Sequence, residues 1–357
     1  MMPFGVLVVA RDAGAASALT PVVARLIAEG ARPEIVAWGN ARAVFEAEGL
    51  AVRTFAEEPE PGEIESLLTA TGAAVMLSGT SLRAKLDGRF WSAAETAGIP
   101  SLALLDHWKN YAERFTVAAP FDVLPTAIAV MDDVARRELI TLGCPPDRVR
   151  VTGQPRFDVL LDGLPLDLRK RARASLGIDT SRRVAVFASQ PRGIPYDEGG
   201  GFTQEEALSA FLDALKEVAP DALALVKLHP VEQVEPVAAV LAARSGNEIR
   251  VLQEGSTLEL AAVADVFCGM TSIVLLDAAL LGVPTVSIRP GGGASHFVEI
   301  NADLIRTATT SEEVRAALAE GLTQAHVAPS PRFSSGSAAR VREQLHELVA
   351  AAGIMRA

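Results

Sequence analysis

Aromatic side chains are scarce in this chain of 357 residues: they make up 5% of it, so its cores must be filled by alanine, valine and leucine. Cysteine is nearly absent. Cys144 and Cys268 stand far apart with no partner motif, which suits a reducing cytoplasm and excludes a cysteine-based zinc site. Basic charge is in deficit, 33 Lys and Arg against 44 Asp and Glu, and the net charge of −11 argues against nucleic-acid binding and against a polybasic membrane anchor. No apolar run reaches the roughly 18–20 uncharged residues of a membrane span. The apolar start, residues 1–10, lacks the basic flank of a signal peptide and is read as a buried first strand. No spacing of His, Cys, Asp or Glu suits a metal ligand set.

What the chain does have is 49% hydrophobic residues and a length that favours two domains of roughly 150–200 residues. Short apolar runs alternate with amphipathic segments, the pattern of βα units in a parallel sheet. Strands are expected at 5–10, 34–38, 52–55, 74–78, 101–105, 127–130 and 148–151, and helices follow the first four and the sixth, at 21–29, 41–48, 62–71, 90–97 and 132–141. After a helix at 168–176 the rhythm restarts, with strands at 184–188, 222–228, 249–252, 266–268 and 285–288 and closing helices at 311–323 and 338–352. Right-handed crossovers put all strand-to-helix loops of one sheet on one rim.

The residues with chemistry fall on those loops. Leu223–Leu228 is a buried strand that stops in His229-Pro230, and the strand ending at Cys268 leads into Gly269-Met270-Thr271-Ser272 and then Asp277. In an open parallel sheet ligands bind beyond the carboxyl ends of strands. These residue types suit a phosphorylated, hydroxyl-rich ligand, such as a nucleotide-activated sugar. His229 would hydrogen-bond a phosphate, or simply close its strand. Thr271 and Ser272 would cap a helix, bind phosphate, or both. Asp277, on an otherwise apolar helix, needs partners, which ribose hydroxyls or an arginine would supply. Gln190 and Arg192 follow the strand 184–188, where an arginine can clamp pyrophosphate. Gly292 lies in a run of three glycines whose amides can approach phosphate, and which is otherwise a flexible connector; His296 and Glu299 follow it. In the first half Asp12 sits in a loop of small residues that lets a ligand approach the backbone. Asp106-His107-Trp108-Lys109-Asn110-Tyr111 is rich in reactive groups; Trp108 and Tyr111 would form a sugar platform or pack the loop, and Lys109 and Arg114 would meet an anionic acceptor. His326 and His346 read as surface residues.

The order of these features in the second half resembles the nucleotide-binding domain of the GT-B superfamily, which includes sugar-nucleotide glycosyltransferases and the UDP-N-acetylglucosamine 2-epimerases. Residues 151–158, Val-Thr-Gly-Gln-Pro-Arg-Phe-Asp, are similar to the segment that leads those chains from one domain to the next. Lys227-Leu228-His229-Pro230 resembles a motif of CDP-glycerol glycerophosphotransferases, capsule polymer transferases and bacterial sialyltransferases, and Asp197-Glu198-Gly199 is similar to an acidic motif of the last. Thr271 to Pro284 resembles the superfamily's phosphate- and ribose-holding helix. Two positions depart from the epimerases: Gln190 stands where their loop carries the histidine of a His-Arg-Arg-Glu type motif, and Leu276 replaces the first of two paired glutamates.

The resemblance implies an α/β fold of two Rossmann-like domains facing each other across a cleft (GT-B type). Residues 1–160 would form the acceptor domain and 161–357 the nucleotide-sugar domain, with the last helix packing back on the first. It implies a cytoplasmic glycosyltransferase of bacterial polysaccharide or glycoconjugate synthesis. Gln190, Arg192, His229, Thr271, Ser272, Asp277 and Gly292 would hold the donor, and Asp12, Asp106 or His107 would serve as base on an acceptor of unknown identity. The nucleotide-sugar is the substrate, and no cofactor or metal is called for. Alternatives are an NDP-sugar 2-epimerase or hydrolase on the same fold, and a non-catalytic sugar-nucleotide-binding protein. The oligomeric state is open, a homodimer included.

Overall fold

The computed structural model describes residues 4–55, 58–82, 85–163, 165, 167–191, 201–229, 232–242, 244, 246–324 and 332–353. They form two compact α/β units: residues 1–159 with 332–357, and residues 160–331.

Unit 1 is built on six strands, β1 (Gly5–Ala10), β2 (Glu34–Ala37), β3 (Ala73–Ser78), β4 (Ser101–Leu104), β5 (Ala127–Val130) and β6 (Val149–Val151). All pair in parallel, in the order β2-β1-β3-β4-β5-β6. Helices cover both faces of such a sheet, so its strands read as continuous apolar runs rather than alternating ones; every residue of β3 is buried. The helix Ala13–Ala28 buries Ala15, Leu19, Val22 and Leu26, a stripe of helical period. The helix Ser337–Ala351, from the far end of the chain, puts Ala338, Val341, Leu345 and Val349 into the same core. Asp158 fixes its start by accepting the N–H groups of Ser337 and Ala338, both at 2.9 Å. Arg340 donates Nε to the Thr152 carbonyl at 2.7 Å. Between them Gly153 has φ +81°, and a Cβ there would lie 2.3 Å from Ser337 Oγ, so the approach requires glycine.

Unit 2 carries β7 (Val184–Ala188), β8 (Leu223–Lys227), β9 (Ile249–Leu252), β10 (Val266–Gly269), β11 (Thr285–Ile288) and β12 (Ile305–Ala308). They are again all parallel, in the order β12-β11-β10-β7-β8-β9, which is the dinucleotide-fold order counted within the unit. Each sheet has one place where strand order reverses, β1/β3 in unit 1 and β7/β10 in unit 2. There successive connections leave to opposite faces and open a crevice at the strands' carboxyl ends.

Three elements depart from the expectation. The segment 52–55 makes a single bridge, Arg53 to Val36, because its side chains are too exposed to build a strand. β12 was not anticipated: Arg306 and Thr307 face solvent on this edge strand and break the apolar run. The short helix His296–Ile300 was also missed. Among the described residues no helix is long and apolar enough to cross a membrane, and no group of three or more His, Cys, Asp or Glu is placed to hold a metal ion. Both cysteines are buried and free.

Candidate functional site

Both reversal points carry the polar residues singled out above. In unit 1, Asp12 follows β1 and precedes the helix Ala13–Ala28, yet its side chain does not cap that helix. The backbone N–H of Leu82, beyond β3 and so across the β1/β3 point, favours the charged form of its carboxyl. Burial raises the Asp12 carboxyl above the usual range, Arg11 opposes that rise and Asp106 reinforces it. Asp106, just past β4, is held by Arg114 at 2.6 Å. Arg114 is buried and donates further to the Thr80 carbonyl (3.2 Å), Thr80 Oγ1 (2.9 Å) and the Lys109 carbonyl (3.2 Å). It is therefore an internal clamp rather than a docking point for an anionic acceptor. The small residues of the Asp12 loop make room for the chain itself: a Cβ on Gly14 would lie 2.3 Å from Asp106 Oδ2, and one on Gly79 2.3 Å from Ala15 Cβ.

His107 is half-buried and lies edge-on to Trp108, with ring centroids 6.3 Å apart at 77°. Of the two readings of Trp108 and Tyr111, packing is the one observed. Trp108 is fully buried, donates Nε1 to both Asp132 oxygens at 3.0 Å and stacks on Phe157 at 14°. The Tyr111 hydroxyl donates to Glu138 at 2.7 Å.

In unit 2, Gln190 Oε1 accepts both the N–H and the hydroxyl of Thr271, each at 3.3 Å, across the β7/β10 point. Beside it, Ser189 Oγ donates to Glu232 Oε1 at 2.7 Å and the His229 N–H donates to Glu232 Oε2 at 2.6 Å. The ends of β10, β7 and β8 are thus tied into one belt, and His229 and Thr271 share a rim. Burial lowers the His229 imidazole below its ordinary value; Glu232 pulls it up and Lys227 pushes it down, leaving it mainly neutral at neutral pH. Lys227 itself is buried at the end of β8, where Nζ donates to the carbonyls of Leu228 (2.6 Å) and Gln253 (3.1 Å). Thr271 serves Gln190 instead of capping the next helix, Val274–Leu280, while Ser272 Oγ takes the Val274 N–H at a long 3.5 Å. Asp277 is buried on that helix. Gly292 (φ +93°) spends its N–H on the Arg289 carbonyl at 2.9 Å, and Glu299 accepts the Ser295 N–H at 3.3 Å. Arg192, the 197–199 segment and His326 lie outside the described residues. His346, expected at the surface, is half-buried, edge-on to Phe4 at 4.9 Å.

Glu232 was not singled out from the sequence, yet it is the acceptor at the centre of the belt. Its signal was the spacing His-Pro-Val-Glu, and the Glu232 N–H donates to the His229 carbonyl at 2.9 Å.

Comparison with known proteins adds to this geometry. The family model of UDP-N-acetylglucosamine 2-epimerases matches residues 121–344, more than half of the chain. No curated protein matches the sequence. Among solved structures, the UDP-GlcNAc 2-epimerase of Neisseria meningitidis bound to UDP-GlcNAc is similar with a TM-score of 0.72 at 15% identity, covering 96% of this chain and 100% of that one. The Methanocaldococcus jannaschii UDP-GlcNAc 2-epimerase is similar with a TM-score of 0.74 at 14% identity over 96% and 99% of the two chains. The Acinetobacter baumannii MurG is similar with a TM-score of 0.61 at 15% identity over 97% and 100%. These proteins share the GT-B fold, and so does this chain. With its second Rossmann-like unit inside the matched span, the chain belongs to the UDP-N-acetylglucosamine 2-epimerase family.

Proposed function

We propose that the protein is an enzyme acting on a nucleotide-activated N-acetylhexosamine without a separate acceptor, as an epimerase or hydrolase at the sugar's C2 and C1. Family membership supports this reading over the glycosyltransferase one. The observation that carries it is the Asp12–Asp106 pair: one carboxyl raised by burial, the other ion-paired to a buried arginine. Neighbouring carboxyl groups in unlike environments suit an acid and a base. One carboxylate takes the C2 proton while the nucleoside diphosphate leaves C1 with the bonding electrons, giving a glycal. Return of a proton to C2 from the other face and of the diphosphate to C1 gives the epimer; addition of water gives the free sugar. Gln190, where the epimerases' motif has a histidine, is an amide already engaged by Thr271. The proton work is therefore assigned to the carboxylates of unit 1, and nucleotide holding to His229, Thr271 and Asp277 of unit 2.

The test is incubation of UDP-N-acetylhexosamine with the protein alone in deuterated water, read by NMR. Deuterium at C2 with epimer or released UDP is expected. UDP release only after a hydroxyl acceptor is added would return the reading to a transferase. Tight binding with neither exchange nor release would make the protein a non-catalytic binder.

A further inference from the structure

Asp87 is a second buried carboxyl at the β1/β3 point, on the helix Lys85–Thr96, and the reaction outlined above does not use it. It is 2% exposed and accepts the Ser81 N–H at 2.7 Å; Ser81 is itself 1% exposed. Ser81 precedes Leu82, whose N–H favours the charged form of Asp12, and follows Thr80, whose carbonyl and hydroxyl receive Arg114. One four-residue stretch, Gly79–Leu82, therefore serves Asp12 on one side and the partner of Asp106 on the other, and Asp87 is the side chain that anchors its middle. Gly79 adds a steric constraint, since its α-carbon lies against Ala15 too closely for any side chain. Two anchors on so short a stretch leave little freedom for the Leu82 amide.

We propose that Asp87 is a positioning residue for Asp12, holding in place the Ser81–Leu82 backbone that lies beside the Asp12 carboxyl. This rests on the acid–base role assigned to Asp12. The charged groups that Asp87 faces are Asp12 and Arg11, and those facing Asp12 are Arg11, Asp106 and Arg114. Burial pushes the Asp87 carboxyl up to about 7, so near neutral pH it is half protonated; the charge of Asp12 adds to that rise. A carboxylate and a carboxamide both present an acceptor oxygen to Ser81; a methyl group presents none.

The test compares Asp87→Asn with Asp87→Ala, using carbon-13 NMR of labelled aspartate carboxyls and the pH profile of turnover. In Asp87→Ala the Asp12 carboxyl is expected to titrate at higher pH than in the parent, because the Leu82 N–H that favours its charged form is no longer held in place. Turnover of UDP-N-acetylhexosamine should fall about tenfold in kcat, with KM unchanged. Asp87→Asn should restore both. An Asp12 titration identical in the parent and in folded Asp87→Ala overturns the proposal. If the alanine variant does not fold, Asp12→Asn decides: the Asp87 carboxyl should then titrate at lower pH, and an unmoved titration overturns the coupling. The NMR readout needs no turnover, so an inactive Asp12 would sink the acid–base reading while leaving the anchoring of Asp12 measurable.

Discussion

The two strand-order reversals solve different electrostatic problems. At β1/β3, the half-buried Asp12 has Asp106 and the buried Asp87 as neighbours, balanced by Arg114, by Arg11 and by backbone N–H groups. At β7/β10, neutral amide and hydroxyl groups face one another, and the carboxylate of Glu232 is filled by Ser189 and the His229 amide. The first arrangement pushes the buried Asp87 carboxyl up to about 7; the second fixes the shape of a rim. The same fold feature thus differs by residue type alone, which under the proposed function means chemistry in one unit and holding in the other.

The sharpest way to break this contrast is Asp12→Asn. Turnover should fall roughly 100- to 10,000-fold, the usual worth of a general acid or base, while UDP affinity measured by calorimetry stays within about twofold. Loss of UDP binding would mean that the two rims are not divided in this way.

A thermodynamic contrast comes next. Asp87 is raised to about 7 in the folded protein, against roughly 3.9 when unfolded. Its contribution is fully present below pH 4 and is lost as pH rises to 7, since only the unfolded chain then releases the proton freely. Asp87→Asn should therefore match the parent in denaturant melts at pH 4 and exceed it increasingly up to pH 7, by at most about 4 kcal/mol. An advantage that does not change with pH would show that Asp87 titrates normally.

Glu232→Ala probes the opposite rim. Removing the acceptor of two buried donors should cost about 1–3 kcal/mol and weaken UDP binding about tenfold. Glu232→Gln should do less, because its amide can donate to Ser189 and still accept from His229. Equal binding by all three proteins would take the belt out of the nucleotide site. The smallest effect is expected from Gly14→Ala, at about 1 kcal/mol: the new methyl displaces only the tip of Asp106. Turnover should nevertheless drop severalfold, since moving that oxygen, Oδ2, turns the carboxylate whose other oxygen, Oδ1, Arg114 holds.

The alternation of apolar runs and amphipathic segments made the two parallel sheets legible, because strands covered on both faces carry no polar interruption. His229, Thr271 and Asp12 were legible for the same reason: each is a polar residue at the end of such a run. Glu232 and Asp87 were not. Both are lone charges just past a loop, where a solvated surface is the ordinary expectation, and the expected helix at 90–97 began after Asp87. The Gln190–Thr271 pair spans 81 positions, and only the sheet order brings it together. Trp108 misled in the other direction, since an aromatic at a strand end is equally suited to a ligand and to a core.

The return of the Ser337–Ala351 helix to the first unit has a consequence for biogenesis. Unit 2 is one continuous stretch and is complete when residue 331 leaves the ribosome. Unit 1 emerges first but waits, its strands lacking the cover of Val341, Leu345 and Val349, for roughly ten to thirty seconds at ordinary translation rates. In that interval the nascent half-domain is a natural client for chaperones, and truncation shortly before residue 337 should yield an insoluble product although every residue of both rims has been made.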